Sequence, residues 1–308
     1  MTREEKSKLK QKELVKEEKK VKDKKYLFIL LKILILIIII VFLGVLYSRF
    51  IATSGLLIKE YKIDNQLLPS SFHGFKIVQF SDLHYGSTID KRALKNIVKK
   101  TNILKPDLIV FTGDLIDKDY LYTDTDINDL KSLLTEFKAT TGKYAISGNH
   151  DYSNELYPDI LNSSGFKFLD NNYELIYYKG YEPILLTGLS SSIKEKDNID
   201  KAYEYFKLEN SNKNIYTISL LHEPDNLDKI LTNYKVDLAL AGHSHNGQIR
   251  LPVIGSLKTI RGAKKYYEEQ YQVENTELLI SGGLGTSTYK YRLFNRPSIN
   301  FVRLTNSK

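Results

Sequence analysis

The 308-residue chain contains no cysteine. That excludes disulfide staples, thiolate metal sites, thiol catalysis and lipidation on sulfur, while leaving the redox compartment open. The bulk of the chain also lacks an excess of charge of one sign. The formal charge is +8, of which +5 lies in residues 1–25 and one more on Lys32, which leaves +2 for everything that follows. A nucleic-acid binder carries its basic excess on the folded domain, so the charge distribution argues against that class. Disorder is excluded over most of the length by 42% hydrophobic and 27% charged residues. Histidine is scarce as well, with six in all, and their placement is informative.

What is abundant comes first in the chain. From Leu27 to Leu46, 18 of 20 residues are Leu, Ile, Phe or Val; the exceptions are Lys32 and Gly44. At about −0.3 to −0.6 kcal/mol each, those 18 residues favour membrane insertion by about 5 to 11 kcal/mol. Lys32 opposes this by at most about 3.5 kcal/mol, and by less where it snorkels. Twenty residues at ~1.5 Å each span about 30 Å, the hydrocarbon thickness. The expected organisation is a basic cytoplasmic tail over residues 1–25, a membrane helix over 26–47, a connector over 48–66 and a folded domain over 67–308. Cations on the leading side set the orientation, with the N-terminus cytoplasmic and the domain on the outer face of the cell membrane. A cleaved signal peptide is the rival, with Ala52-Thr53-Ser54 as a weak cleavage-like site.

Beyond residue 66, short apolar runs alternate with amphipathic stretches. Strands are expected at Phe75–Phe80, Leu108–Thr112, Lys143–Ser147, Ile215–Leu221, Val236–Ala241, Leu278–Ser281 and Ile299–Leu304. A hairpin is expected from Tyr173–Tyr178 and Pro183–Leu189. Helical spacing appears after Asp90, which can cap a helix bearing Leu94, Ile97 and Val98, and again across Ile127–Phe137 and Asn226–Tyr234. This is a mixed α/β pattern with a sheet-rich layered core.

Chemistry gathers where these strands end. The segments are Ser81-Asp82-Leu83-His84, Gly113-Asp114, Gly148-Asn149-His150-Asp151, Leu221-His222-Glu223-Pro224 and Gly242-His243-Ser244-His245. Five of the six histidines lie in them; His73 is the exception. Loops at strand ends on a rigid scaffold are where sites form. Carboxylate, imidazole and amide oxygen suit Mn, Fe or Zn. In an extended segment, Asp82 and His84 would share a side, as would His243 and His245. Two such pairs and a shared carboxylate, Asp114, can hold two cations. Each piece alone is ordinary turn or core chemistry; the ordered series is not.

The series D-x-H, G-D, G-N-H-D, H, G-H-x-H resembles the calcineurin-like metallophosphoesterase superfamily over residues ~75–304. Gly242 to Pro252, Gly283 to Ser287, and Arg292 with Arg296-Pro297 resemble its membrane-anchored, YkuE/YaeI-like bacterial branch. Asn246 and Ser298 stand where Gly and Glu are commoner. The resemblance implies a four-layer α/β/β/α sandwich. It implies one divalent metal ion on Asp82, His84 and His245, a second on Asn149, His222 and His243, and Asp114 bridging. It places His150 at the phosphate as a catalytic group, with Asp151 orienting it.

Arg292 and Arg296 are candidate binders of phosphate or a polar head group. The expected reaction is hydrolysis of a phosphodiester, pyrophosphate or phosphomonoester by metal-activated hydroxide, on an envelope or lipid-linked substrate. The alternatives are a nuclease of the same superfamily, which the near-neutral domain disfavours, and a non-catalytic metal-dependent binding module at the membrane.

Overall fold

The computed structural model describes residues 2–307 apart from residues 195 and 209. The chain divides after Ser48 into two units.

The first unit is a single helix, α1 (Arg3–Leu46), with none of its residues buried. It joins the basic tail and the apolar run without a break. Its start is a capping box: Glu5 N–H donates to the Thr2 hydroxyl at 3.4 Å, and Thr2 N–H donates to the Glu5 carboxylate at 2.7 Å. A wider turn, Tyr47–Ile51, ends the helical run. By length and composition this is one helix able to cross a membrane.

The second unit carries two six-stranded sheets. In chain order the strands of the first are β1 (Leu57–Asp64), β2 (Lys76–Phe80), β3 (Leu108–Phe111), β4 (Gly142–Ala145) and β5 (Lys167–Phe168), completed by the last strand, Ser298–Thr305. Those of the second are β6 (Asn172–Ile176), β7 (Ile184–Gly188), β8 (Thr217–Leu221) and β9 (Leu238–Ala241), followed, after the small hairpin β10 (Arg250–Leu251) and β11 (Gly255–Ser256), by β12 (Gln270–Val273) and β13 (Thr276–Ile280). Ser298–Thr305 is therefore β14. The spatial orders are β1-β14-β2-β3-β4-β5 and β12-β13-β9-β8-β7-β6. β2 to β5 run parallel, as do β7, β8, β9 and β13.

The period-two alternation of side chains builds the layers. Ile77, Leu108, Val110, Ile218, Leu220 and Leu240 form the core between the sheets. Their neighbours Val78, Phe80, Ile109 and Phe111 point the other way, under the helices α2 (Lys91–Ile103), α3 (Asp124–Thr135) and α4 (Tyr157–Ser163). On the far side, Leu221, Ala239, Ala241 and Ile280 pack beneath short helices at Ile199–Ala202 and Leu227–Leu231. Four layers result, in the order α/β/β/α. Strands covered on both faces read as continuous apolar runs, which is why they were legible. Asp90 caps α2 by accepting from Ala93 N–H at 2.8 Å.

One boundary differs from expectation. The stretch 48–66 is not merely a connector, because Leu57–Asp64 is an eight-residue edge strand paired in parallel with β14 from Leu57↔Ser298 to Asp64↔Thr305. Its charged side chains, Lys59, Glu60 and Lys62, mark an edge strand and conceal its period.

Leu240→Ala, fully buried between the sheets, is expected to cost about 2–5 kcal/mol. Thermal unfolding of the full chain in detergent should show a lowered midpoint; an unchanged midpoint would contradict the two-sheet core.

Candidate metal centre

Parallel strands deliver their carboxyl ends to one edge, and every ligand-type loop leaves from such an end. Asp82 and His84 follow β2, Asp114 follows β3, and Asn149 and His150 follow β4. His222 follows β8, while His243 and His245 follow β9. The two sheets bring these ends together: His243 N–H donates to both oxygens of Asp82, at 3.2 and 3.1 Å. Gly113 and Gly148 allow the close approach. A Cβ on Gly148 would collide with Asp114 and His222, and one on Gly113 with the Gly148 backbone.

The ligands meet in three overlapping groups: Asp82, His84 and His245; Asp114, His222 and His243; and His84, Asp114 and His150. Asp114 Oδ2 lies 3.4 Å from His222 Nε2, 3.6 Å from His84 Nε2 and 3.8 Å from His150 Nε2. His245 Nε2 lies 3.4 Å from Asp82 Oδ1. Asn149 Oδ1 is 3.1 Å from His222 Nε2. Asp82, His84, Asp114, His222, His243 and His245 are buried; His150 is partly open.

Chemistry and geometry together fit a cation. His222 Nδ1 is 2.7 Å from the Thr112 carbonyl, which fixes a proton there and leaves Nε2 as the atom that faces the oxygens of Asn149 and Asp114. Likewise His243 Nε2 donates to the Arg261 carbonyl at 2.8 Å, leaving Nδ1 as its donor atom. Both nitrogens of His84 are buried without a hydrogen-bond partner among the described residues. Orphaned buried nitrogens are costly unless a positive ion lies against them.

The electrostatics agree. Burial pushes His84 down to about 3. His243 falls to about 4 through burial and the proximity of His222. These imidazoles stay neutral, as ligands must. At Asp114, burial favours the neutral acid, but His222, His150 and His84 outweigh it and hold the carboxyl well below its usual range. Burial opposes charge on His222 too, yet Asp114 above all, with Asp82 and Glu223, raises it well above the ordinary histidine value. Burial, reinforced by Asp114 against the pull of His222, lifts Asp82 to about 7.

A model of the family described as calcineurin-like phosphoesterase matches residues 75–247. The chain belongs to the calcineurin-like phosphoesterase family. As such it is a metal-dependent phosphoric ester hydrolase. An uncharacterized metallophosphoesterase of Bacillus subtilis, YkuE, is 33% identical over 85% of this chain and 90% of its own length. The UDP-2,3-diacylglucosamine pyrophosphatase LpxG of Chlamydia muridarum is 28% identical over 80% of this chain and 89% of its own. A transmembrane protein with a metallophosphoesterase domain from Danio rerio is 27% identical over 85% of this chain and 62% of its own.

In this phosphoesterase, four expectations about individual residues change. Asp82 and His84 do reach one ligand group, but not from an extended segment: their φ values are 49° and 41°, and those of His243 and His245 are 65° and 49°. These left-handed kinks send His243 and His245 into different ligand groups. Asp151 is occupied with the backbone, accepting from the N–H groups of Asp114, Leu115 and Gly148 at 2.8–2.9 Å. It ties the Asp114 and Asn149 loops together. Arg292, expected near the substrate, is fully buried, and its guanidinium donates to the carbonyls of Gly283, Gly285 and Asn295. Arg296 is exposed and donates to Ser54 O at 3.3 Å, on the segment that leads into β1.

Sequence reasoning also missed Asp117, whose carboxylate lies 4.0 Å from His84 Nδ1. Its only signal was a second aspartate three residues after Asp114.

His222 is protonated while the metal is absent and must lose that proton to ligate, so uptake releases protons and tightens as pH rises. Calorimetric titration of Mn into the full chain, in buffers of differing ionisation enthalpy around pH 7, should show net proton release; pH-independent affinity would contradict this protonation pattern.

Proposed function

We propose that the domain is a dinuclear phosphoesterase holding two divalent cations, Mn, Fe or Zn. Asp82, His84 and His245 hold one, Asn149, His222 and His243 the other, and Asp114 is shared. The observation that carries this reading is Asp114 Oδ2, buried within 3.4–3.8 Å of three imidazole nitrogens that belong to both sides of the cluster. When bound, such a pair supplies Lewis acidity at a phosphoryl oxygen and a nucleophilic water near neutral pH.

The protein's own groups then have separable tasks. Asn149 contributes a neutral oxygen, so its side adds no further negative charge to repel a phosphate. Thr112 O and Arg261 O fix the tautomers of His222 and His243. Asp151 keeps the loops carrying Asp114 and His150 in register. His150 is the more open of the clustered histidines and lines the cleft that leads to Asp114. Its place suits hydrogen bonding to the phosphate and donation of a proton to the leaving oxygen. Direct attack by water on phosphorus needs no covalent enzyme intermediate, and no cysteine is present to form one.

The substrate we propose is a lipid-linked or envelope phosphodiester or pyrophosphate. Support comes from the cleft of about 280 Å³ beside Asp114, walled by Ile249, Leu257, Ile260 and Tyr289, which suits an apolar substituent next to the phosphate. The relative LpxG acts, by its name, on a diacylated nucleotide sugar. We place the domain on the outer face of the cell membrane, from the cationic excess that precedes the apolar helix.

His150→Gln tests the assignment. The Mn-loaded full chain in detergent should keep its metal content while kcat on an aryl phosphodiester or a pyrophosphate diester falls about 10²–10⁴-fold. An empty site in this variant, or undiminished kcat, would contradict the role given to His150.

A further inference from the structure

The rim of the cleft is apolar, basic and turned to solvent. At the tip of the β10–β11 hairpin, Val253 is 108% exposed and Ile254 70% exposed. Leu257, Tyr289 and Phe294 are exposed beside them. The two loops form one surface, since Ile249 bridges Leu293 and Gln248 donates to the carbonyls of Tyr289 and Tyr291. Val253 has a φ of 69°, a conformation strained for a β-branched residue, and the side chain so displayed gains no burial in return. Strain that displays an apolar group to water points to a partner outside the chain.

Charge narrows the partner. Residues 246–267 and 278–308, which include both loops, contain no Asp or Glu. Lys258, Arg261, Lys264 and Lys290 are exposed there. The nearest acid of the hairpin, Glu268, is paired with Arg250 at 2.6 Å. Apolar side chains flanked by cations that have no ion pair among the described residues suit an anionic bilayer surface.

Topology gives the direction. β14 runs antiparallel to β2, so β14 begins at the edge where β2 delivers Asp82. β1 is parallel to β14 and begins at that same edge, with Leu57 N–H donating to Pro297 O at 2.9 Å. Only five residues separate Ile51, at the end of the helical run, from Leu57. Five residues reach at most ~18 Å. The entry segment of the domain, Ile51 to Leu57, therefore lies at the edge that carries the ligands and the apolar rim.

We propose that this rim, led by Val253 and Ile254, is seated in the interface of the bilayer that the N-terminal helix crosses, so that the metal cleft opens at the level of the lipid headgroups. Docking is a property of the surface and does not depend on turnover or on the identity of the substrate.

The lack of cysteine makes the test clean. Val253→Cys, and separately Ile254→Cys, is labelled with an environment-sensitive fluorophore in the full chain. Tyr181→Cys and Asn275→Cys serve as references, because they precede β7 and β13 and so lie at the opposite edge. Each protein is reconstituted into vesicles of phosphatidylethanolamine and phosphatidylglycerol containing acyl-chain doxyl lipid. Quenching at positions 253 and 254 should exceed that at the references by about threefold or more, with blue-shifted emission, since the probe enters the acyl boundary. Equal quenching at all four positions would overturn the proposal. So would protection of 253 from aqueous iodide without lipid quenching, which would assign the rim to a second copy or another protein.

Discussion

A buried aspartate surrounded by imidazoles governs this molecule. Asp114 is shut away from water with three histidine nitrogens around one oxygen, among them the Nε2 atoms of His222 and of His84, whose two ring nitrogens have no hydrogen-bond partner among the described residues. Without positive charge between them, these groups repel or go unsatisfied. The surrounding structure serves that arrangement. Gly113 and Gly148 let the loops approach, Asp151 ties them by three backbone hydrogen bonds, and Asp82, His84, Asp114, His243 and His245 all accept left-handed backbone. Each such residue costs about 1–2 kcal/mol. Left-handed backbone at five ligand residues, beside buried nitrogens left without a hydrogen-bond partner among the described residues, is the mark of a site that the fold holds in place and that a cation completes.

The ligand loops and the start of β1 share an edge for a topological reason. Parallel strands put the site at their carboxyl ends, and the antiparallel insertion of β14 beside β2 reverses direction once. That reversal brings the start of β14, and hence the start of its parallel partner β1, to the catalytic edge. The segment entering β1 thus lies on the same side as Asp82. Arg296, expected to grip substrate, instead holds Ser54 at this entry.

Much of this was legible in the residues. Strands buried on both faces, such as Leu108–Phe111 and Leu238–Ala241, announced themselves as apolar runs, and the ligand residues stood directly after them. β1 was hidden because an edge strand carrying Lys59, Glu60 and Lys62 has no strong apolar period. The burial of Arg292 was hidden because arginine is usually exposed; here burial draws it down to about 10, and backbone carbonyls of the Gly283–Gly285 loop accept its hydrogen bonds. The backbone ties of Asp151 were not legible because two of the three amides it accepts from, those of Asp114 and Leu115, lie 37 and 36 residues away in the chain, which no local pattern reveals.

The most direct measurement is electron paramagnetic resonance of the Mn-loaded full chain. The account predicts an exchange-coupled pair of ions sharing Asp114, with the coupling lost in Asp114→Asn. A spectrum of isolated, uncoupled Mn in the wild-type chain at full loading would contradict it.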